Sequence, residues 1–226
     1  MTEYRDNEQM DSGKNKETTI LYQNDGAKDD ELREALPKPL MPQSDKPYTY
    51  ADYCNWEDGG RWEMIDGVAY AMAAPTFAHQ MILTGLHLRF GNFLKGHSCI
   101  VLLSPFDVRL NADEADDTVV QPDLLVVCDR AKLSDVMSCR GAPDLIIEIL
   151  SPSNPGYDRL TKFNRYLRAG VKEYWMVDPE TKSVQICSLR DGSYDTIIYT
   201  ERATVPVGVL PGLEISLPEV FAELDL

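Results

Sequence analysis

Three residues have the types and spacing to do hydrolytic chemistry together: Asp123, Glu148 and Lys162. Glu148 poses the sharpest question. It stands in PDLIIEILSPS, residues 143–153, among Leu145, Ile146, Ile147, Ile149 and Leu150, in a run that reads as a buried strand. An unpaired ionised carboxylate in such surroundings is strongly unfavourable, so something must compensate it. The choices are a cation of the protein, a metal ion, or water at an open strand end. Asp123 opens the preceding strand-like run. If those two strands are neighbours, the two carboxylates lie about 4.8 Å apart and can grip one Mg²⁺, with Mn²⁺ as a substitute. The backbone carbonyl of Ile149 is a further candidate ligand. Lys162 follows on a helical run, in one stripe with Asp158 and with Arg165 or Tyr166. An ammonium group there would hold the attacking water and offset the negative charge that grows as a phosphodiester is cleaved. Asp144 is different. It is four residues before Glu148, about 13 Å along the strand, too far to share an ion, and reads as a residue that starts the strand.

Placing these residues needs a sheet with helices on its faces. Thr49 is suited to cap a short helix in TYADYCNWED, and RWEMI-DG-VAYAM reads as a hairpin around Asp66-Gly67. Residues 76–95 carry Ile82, Leu83, Leu86, Phe90, Phe93 and Leu94 at helical spacing. The runs 99–110, 118–129 and 144–150 each read as one strand. A helix over 157–170, ended by Gly170, leads to a strand at 172–179. SVQICSL and DGSYDTIIYTE read as added hairpin strands, and PGLEISLPEVFAEL as an apolar segment with a last helix. The expected fold class is α/β, a mixed sheet flanked by helices, with an added N-terminal hairpin and C-terminal strands. Residues 1–47 are polar, with prolines at 37, 39, 42 and 47, and read as a mostly disordered tail before a domain over 48–226. GKNKET within that tail lacks the context of a phosphate loop.

Charge constrains the partners. The net charge is −15. Residues 1–47 hold 11 acidic and 7 basic side chains and the remainder holds 26 and 15, so the folded part itself is acidic. That weighs against a nucleic-acid surface, though a site that gathers divalent cations needs local acidity. The five cysteines are odd in number and form no CxxC pair, which argues against a disulfide framework or a zinc knuckle and for a reducing, cytoplasmic setting. The opening MTEYRDNEQM has no apolar core of a signal peptide, and no long apolar run suggests a membrane span.

Taken in order, RWEMIDGVAY, the AHQ at 78–80, SPFDVRL, VVQPDLLVV, PDLIIEILSPS, the D-x3-K at 158–162, RYLRAGVKEYWMVDP and PGLEISL carry a resemblance. From about Tyr48 to Leu224 the chain resembles the Uma-two family of restriction-endonuclease-like proteins, within the PD-(D/E)XK nuclease superfamily. The resemblance implies a restriction-endonuclease-like domain and a Mg²⁺-dependent DNA endonuclease. It matches Asp123 to the PD carboxylate and Glu148 to the (D/E) position. The superfamily's lysine is expected at position 150, which is leucine here. In relatives of this kind the lysine comes from the following helix, a place that Lys162 fits. Glu63 and His79 match residues typical of the family and are further candidates for lining the site. Homodimers are common among such nucleases.

Blander readings stand beside these. Glu148 is explained by an ion pair with Lys162 or Arg159 alone, and Lys162 by a solvated helix face. Asp107, between Phe106 and Val108, points either to the site or to solvent. Tyr70, Tyr174 and Trp175 read as core rather than as a base-stacking platform, His87 and His97 as structural, and the acidic loop 113–117 as a solvated turn. Two other functions fit the residues: a nuclease-derived module that binds nucleic acid or a protein partner without cutting, and a phosphohydrolase of small nucleotides.

Overall fold

The computed structural model describes residues 18–21, 46–56, 60–151 and 161–224. A first strand, β1 (Thr18–Leu21), is followed by the short helix α1 (Tyr50–Tyr53), where the Asp52 carboxylate accepts from the Thr49 backbone N–H and hydroxyl, both at 2.8 Å. The hairpin β2 (Trp62–Ile65) and β3 (Val68–Ala71) turns at Asp66 and Gly67, with φ of 50° and 71°. These are the angles a type I′ turn demands, and a β-carbon on Gly67 would collide with Pro47. The long helix α2 (Phe77–Leu94) buries Ile82, Leu83, Leu86, Phe90 and Leu94 on one face.

Next come β4 (Ile100–Leu103), β5 (Asp107–Arg109), β6 (Val119–Val120), β7 (Leu124–Val127), β8 (Ser138–Arg140) and β9 (Leu145–Ile149). Helix α3 (Phe163–Ala169) ends on Gly170 at φ 83° and leads into β10 (Glu173–Asp178). The strands β11 (Ser183–Arg190), β12 (Ser193–Thr200), β13 (Thr204–Pro206) and β14 (Glu214–Ser216) and the helix α4 (Leu217–Phe221) complete the described elements. The order is that of a mixed α/β fold, as its sequence pattern implies.

Seven strands form one mixed sheet in the order β1-β12-β11-β10-β9-β7-β4, and five form a second in the order β3-β2-β6-β5-β8. Two runs expected as single strands cross between these sheets. In 99–110 the chain leaves the first sheet after β4 at the cis Ser104–Pro105 peptide and enters the second as β5. In 118–129 it leaves the second sheet after β6 at Gln121-Pro122 and enters the first as β7. Proline has no N–H for a ladder, so each apolar run breaks where its proline stands. The strand β1 lies in the stretch expected as tail, paired antiparallel to β12. Residues 13–17 of GKNKET, Asp158 and Arg159, the other cation offered as a partner for Glu148, lie outside the described residues.

The two faces of the first sheet are covered differently. Leu124, Val126, Leu145, Ile147 and Ile149 pack with Ile82, Leu86 and Phe90 of α2. Leu125, Val127, Ile146 and Leu150 pack with Tyr166 of α3 and with Val108 and Val120 of the second sheet. Burial on both faces is the reason β7 and β9 read as continuous apolar runs. It also fixes Glu148. Side chains alternate along a strand, so Glu148 shares the face of Ile146 and Leu150, toward α3 and the second sheet.

Asp144 stands at the start of β9, where its Oδ2 accepts from the Cys128 backbone N–H at 2.7 Å and its Oδ1 pairs with Lys172 at 2.7 Å. Burial pushes its carboxyl up, but Lys172 and the Cys128 N–H outweigh burial and hold it below its ordinary value. A depressed carboxyl stabilises the fold above its unfolded value, and that contribution is lost as pH falls through the folded value. The acidic loop also does more than face solvent: Arg109 pairs with Asp116 at 2.5 Å and Arg140 with Asp113 at 2.7 Å.

The structure corrects one expectation about cysteine. The register of β4 on β7 sets Ile100 opposite Val127 and thus Cys99 opposite Cys128, and these two form a disulfide. Neither the odd count nor the separation of 29 residues foretells the pair, because only strand register brings it together. Cys54 is exposed, whereas Cys139 and Cys187 are buried free thiols. A thiol reagent is expected to titrate one thiol per native chain, three after denaturation and all five after reduction. Five reactive thiols in denatured, unreduced chain would show that the bridge does not form.

Candidate active site

The sequence places Asp123 one residue before β7 and Glu148 inside β9. These strands pair antiparallel with Leu124 opposite Ile147, a register that carries Asp123 opposite Glu148 on the same face. Both line an open cleft of about 340 Å³, together with Arg61, Glu63, His79, Ser104, Ile149 and Lys162. The cleft lies where the chain switches between the sheets, because Ser104 follows β4 and Gln121 to Asp123 link β6 to β7.

Among the described residues, the compensation for Glu148 is a cation with a phenol. Lys162 Nζ donates to Glu148 Oε1 at 2.9 Å and to Glu63 Oε1 at 2.9 Å, and Tyr166 OH donates to Glu148 Oε1 at 2.6 Å. Glu63, Glu148 and Lys162 are 3%, 4% and 3% exposed, so this is a buried ionic triad and not a solvated helix face. Lys162 and Tyr166 are four apart, one helical turn, which stacks both over Glu148. Burial, and then the Glu148 carboxylate, push the Tyr166 phenol well above its ordinary value, so it stays a protonated donor. Arg165, the other member of the expected stripe, turns away and pairs with Asp66.

Asp123 is held separately. Its Oδ2 accepts from the Ile149 backbone N–H at 2.8 Å and lies 3.0 Å from His79 Nε2. Thr76 caps α2 by accepting the His79 N–H at 3.2 Å, which fixes where the imidazole starts. The Glu63 side chain comes from β2 and also accepts the Gln121 backbone N–H at 2.9 Å, so one carboxylate ties the hairpin, the Gln121-Pro122-Asp123 segment and Lys162 together.

Glu63 and His79 therefore join the three central residues in one cleft. Asp107 does not. It points neither into the cleft nor freely to solvent: Oδ1 accepts from Tyr53 OH at 3.1 Å and Gln121 Nε2 at 3.0 Å, and Oδ2 from Tyr50 OH at 3.4 Å. Ile149 lines the cleft, with its N–H spent on Asp123. Sequence reasoning passed over Arg61, Ser104 and Gln121. The one usable signal was that Arg61 stands two residues before Glu63, on the same side of an extended chain.

Chemically the cleft offers carboxylate oxygens on adjacent strands, a buried ammonium and an imidazole. Among the described residues no three of His, Cys, Asp and Glu converge as a ready cage for a metal ion. The carboxylates are instead shared between the Lys162 triad and the Asp123–His79 pair. No helix among the described residues is long and apolar enough to cross a membrane.

Comparison with known proteins agrees with this architecture. A family model, Uma2, described as "Putative restriction endonuclease", matches residues 49–218. The protein slr1290 of Synechocystis, described as uncharacterized, is 30% identical over 137 residues, covering 60% of this chain and 70% of that protein. A crystal structure from Anabaena variabilis, titled a "putative nuclease belonging to DUF820", superposes with a TM-score of 0.65 at 21% identity, covering 79% of this chain and 99% of that one. At that identity the likeness is one of fold.

Proposed function

Because this chain belongs to the Uma2 family, we propose that it is a metal-dependent nuclease that hydrolyses phosphodiester bonds in DNA. The observation that carries this reading is the placement of Asp123 opposite Glu148 on one face of an open cleft, with Lys162 against Glu148.

The residues present fit a divalent cation. Mg²⁺ takes hard oxygen donors and is commonly held through one or two carboxylates, with waters filling the remaining positions. Asp123 Oδ2 is occupied by two donors, while Oδ1 makes no hydrogen bond among the described residues. Asp123 and Glu148 would hold the ion, with the Ile149 carbonyl as an added donor. Bound there, Mg²⁺ or Mn²⁺ would polarise the phosphoryl oxygen and favour ionisation of water. The side chains supply the rest. His79 and the Ile149 N–H orient Asp123. Tyr166 holds Glu148 from behind. Lys162 donates toward the attacking water and the charge that builds on the phosphoryl oxygens. Glu63 positions Lys162.

A module that binds nucleic acid without cutting is the second reading, favoured by the leucine at position 150, where the superfamily's lysine is expected. Calorimetric titration with Mn²⁺, run beside a plasmid cleavage assay with and without Mg²⁺, separates the two. The nuclease reading expects saturable Mn²⁺ heat and cutting only with metal. Neither heat nor cutting would overturn it, and duplex binding without either would establish the second reading.

A further inference from the structure

We propose that Arg61 is a clamp for a backbone phosphate of the bound DNA. This deepens the reading of the cleft as a nucleic-acid site and rests on it. The cleft is lined by the acids Glu63, Asp123 and Glu148, and the Lys162 charge is already shared by two of them. Among the described residues Arg61 is the other lysine or arginine in its lining, and its situation is unlike that of Lys162. It is exposed, and its Nη2 donates to Ser104 Oγ at 2.5 Å and to Gln121 Oε1 at 3.1 Å. Both partners are neutral, and among the described residues Arg61 forms no ion pair. In a chain of net charge −15, a cleft-lining guanidinium with no carboxylate partner among the described residues is out of the ordinary.

The guanidinium is also positioned. Gln121 is fixed by its far side, where Nε2 donates to Asp107 Oδ1 and to Tyr53 OH, each at 3.0 Å. A carboxylate only accepts, so the amide nitrogen must face Asp107 and the amide oxygen must face Arg61. Tyr50 and Tyr53 hold Asp107 in turn. This gives Asp107 a part in the site without contact with the cleft: it acts through Gln121 on Arg61, as a positioning residue. Both contacts of Arg61 use Nη2, which leaves Nε–H and Nη1–H on separate edges of the guanidinium, each able to donate singly to a phosphate oxygen. Arg61 stands two residues from Glu63, about 7 Å along an extended chain, so a phosphate held there lies beside the carboxylates. A polyanion approaching an acidic domain needs such a local cation.

The test uses the full chain and a short fluorescein-labelled DNA duplex, with binding read by anisotropy across a salt series. Arg61→Ala and Arg61→Gln are expected to weaken binding about tenfold and to lower the slope of log K against log salt by about 1. Arg61→Lys should keep the slope and recover part of the affinity. In cleavage, the neutral variants should raise KM with little change in kcat, as loss of ground-state binding does. Arg190→Ala removes a cation paired with Asp195 and absent from the cleft lining, and should change nothing. Because Arg61 is exposed, thermal midpoints should not move. Unchanged affinity and slope in both neutral variants overturns the clamp and leaves the nuclease reading to the cleavage assay. A wild-type chain that does not bind the duplex overturns the clamp as well, and cutting without measurable binding would leave the nuclease reading standing.

Discussion

Lys162→Met is expected to destabilise the fold by about 3–5 kcal/mol, the loss typical of removing one partner from a buried ion pair. The methionine fills much of the lysine's volume, so the loss is electrostatic rather than a cavity. Glu63 and Glu148 each place Oε1 2.9 Å from the same ammonium nitrogen, and without it two buried carboxylates face each other. Among the described residues the Gln121 N–H and Tyr166 OH that remain are neutral donors and offset only part of that. In a chain of this length each kcal/mol moves the thermal midpoint by about 2–4 °C, so a drop of roughly 10 °C follows. Adding Glu148→Gln to Lys162→Met should recover part of it, since one of the opposed charges is gone. That non-additivity separates an ionic triad from a packing defect. A midpoint within about 2 °C of wild type, a shift of under 1 kcal/mol by the same scaling, would mean that the triad is not buried as described.

The second large effect is on chemistry. Glu148→Gln should lower metal-dependent cleavage by at least about a hundredfold, the scale on which removing a directly acting charged group operates. It should also flatten the Mn²⁺ titration. The same variant is expected to fold well. Its amide oxygen still accepts from Tyr166 and Lys162, and the triad loses its surplus negative charge. Lys162 keeps Glu63 as its charged partner, so no uncompensated buried charge is left behind. The pair of variants thus dissociates two roles of one cluster: Lys162→Met is read chiefly in the thermal midpoint and Glu148→Gln chiefly in turnover. Cleavage by Glu148→Gln at the wild-type rate would remove Glu148 from the chemistry and leave it only as the partner of Lys162.

Glu63 shows why the two roles are hard to part by sequence. In the strand WEMI it looks like an outward-facing residue of a hairpin, yet it is 3% exposed. The second sheet packs over the first and encloses it, and no local pattern in RWEMIDG reveals that. Asp107 misled in the opposite way. Its alternation with Phe106 and Val108 suggested the site or solvent, but two tyrosines from α1, some 50 residues earlier in the chain, close over it.

What the sequence determined by itself was local. The hairpin at Asp66-Gly67, the apolar face of α2, the stop at Gly170 and the buried run of β9 follow from turn chemistry and side-chain periodicity, which act over a few residues. That a carboxylate at 148 demands a cation also followed from sequence, because desolvating a charge is unfavourable in any fold. Tertiary structure decided which cation answers it, that two proline-broken runs pass between two sheets, and that Cys99 meets Cys128. It also set Arg61 beside Ser104 and Gln121. These depend on strand register and sheet packing, where contacts join residues tens of positions apart and a shift of one residue turns a side chain to the other face.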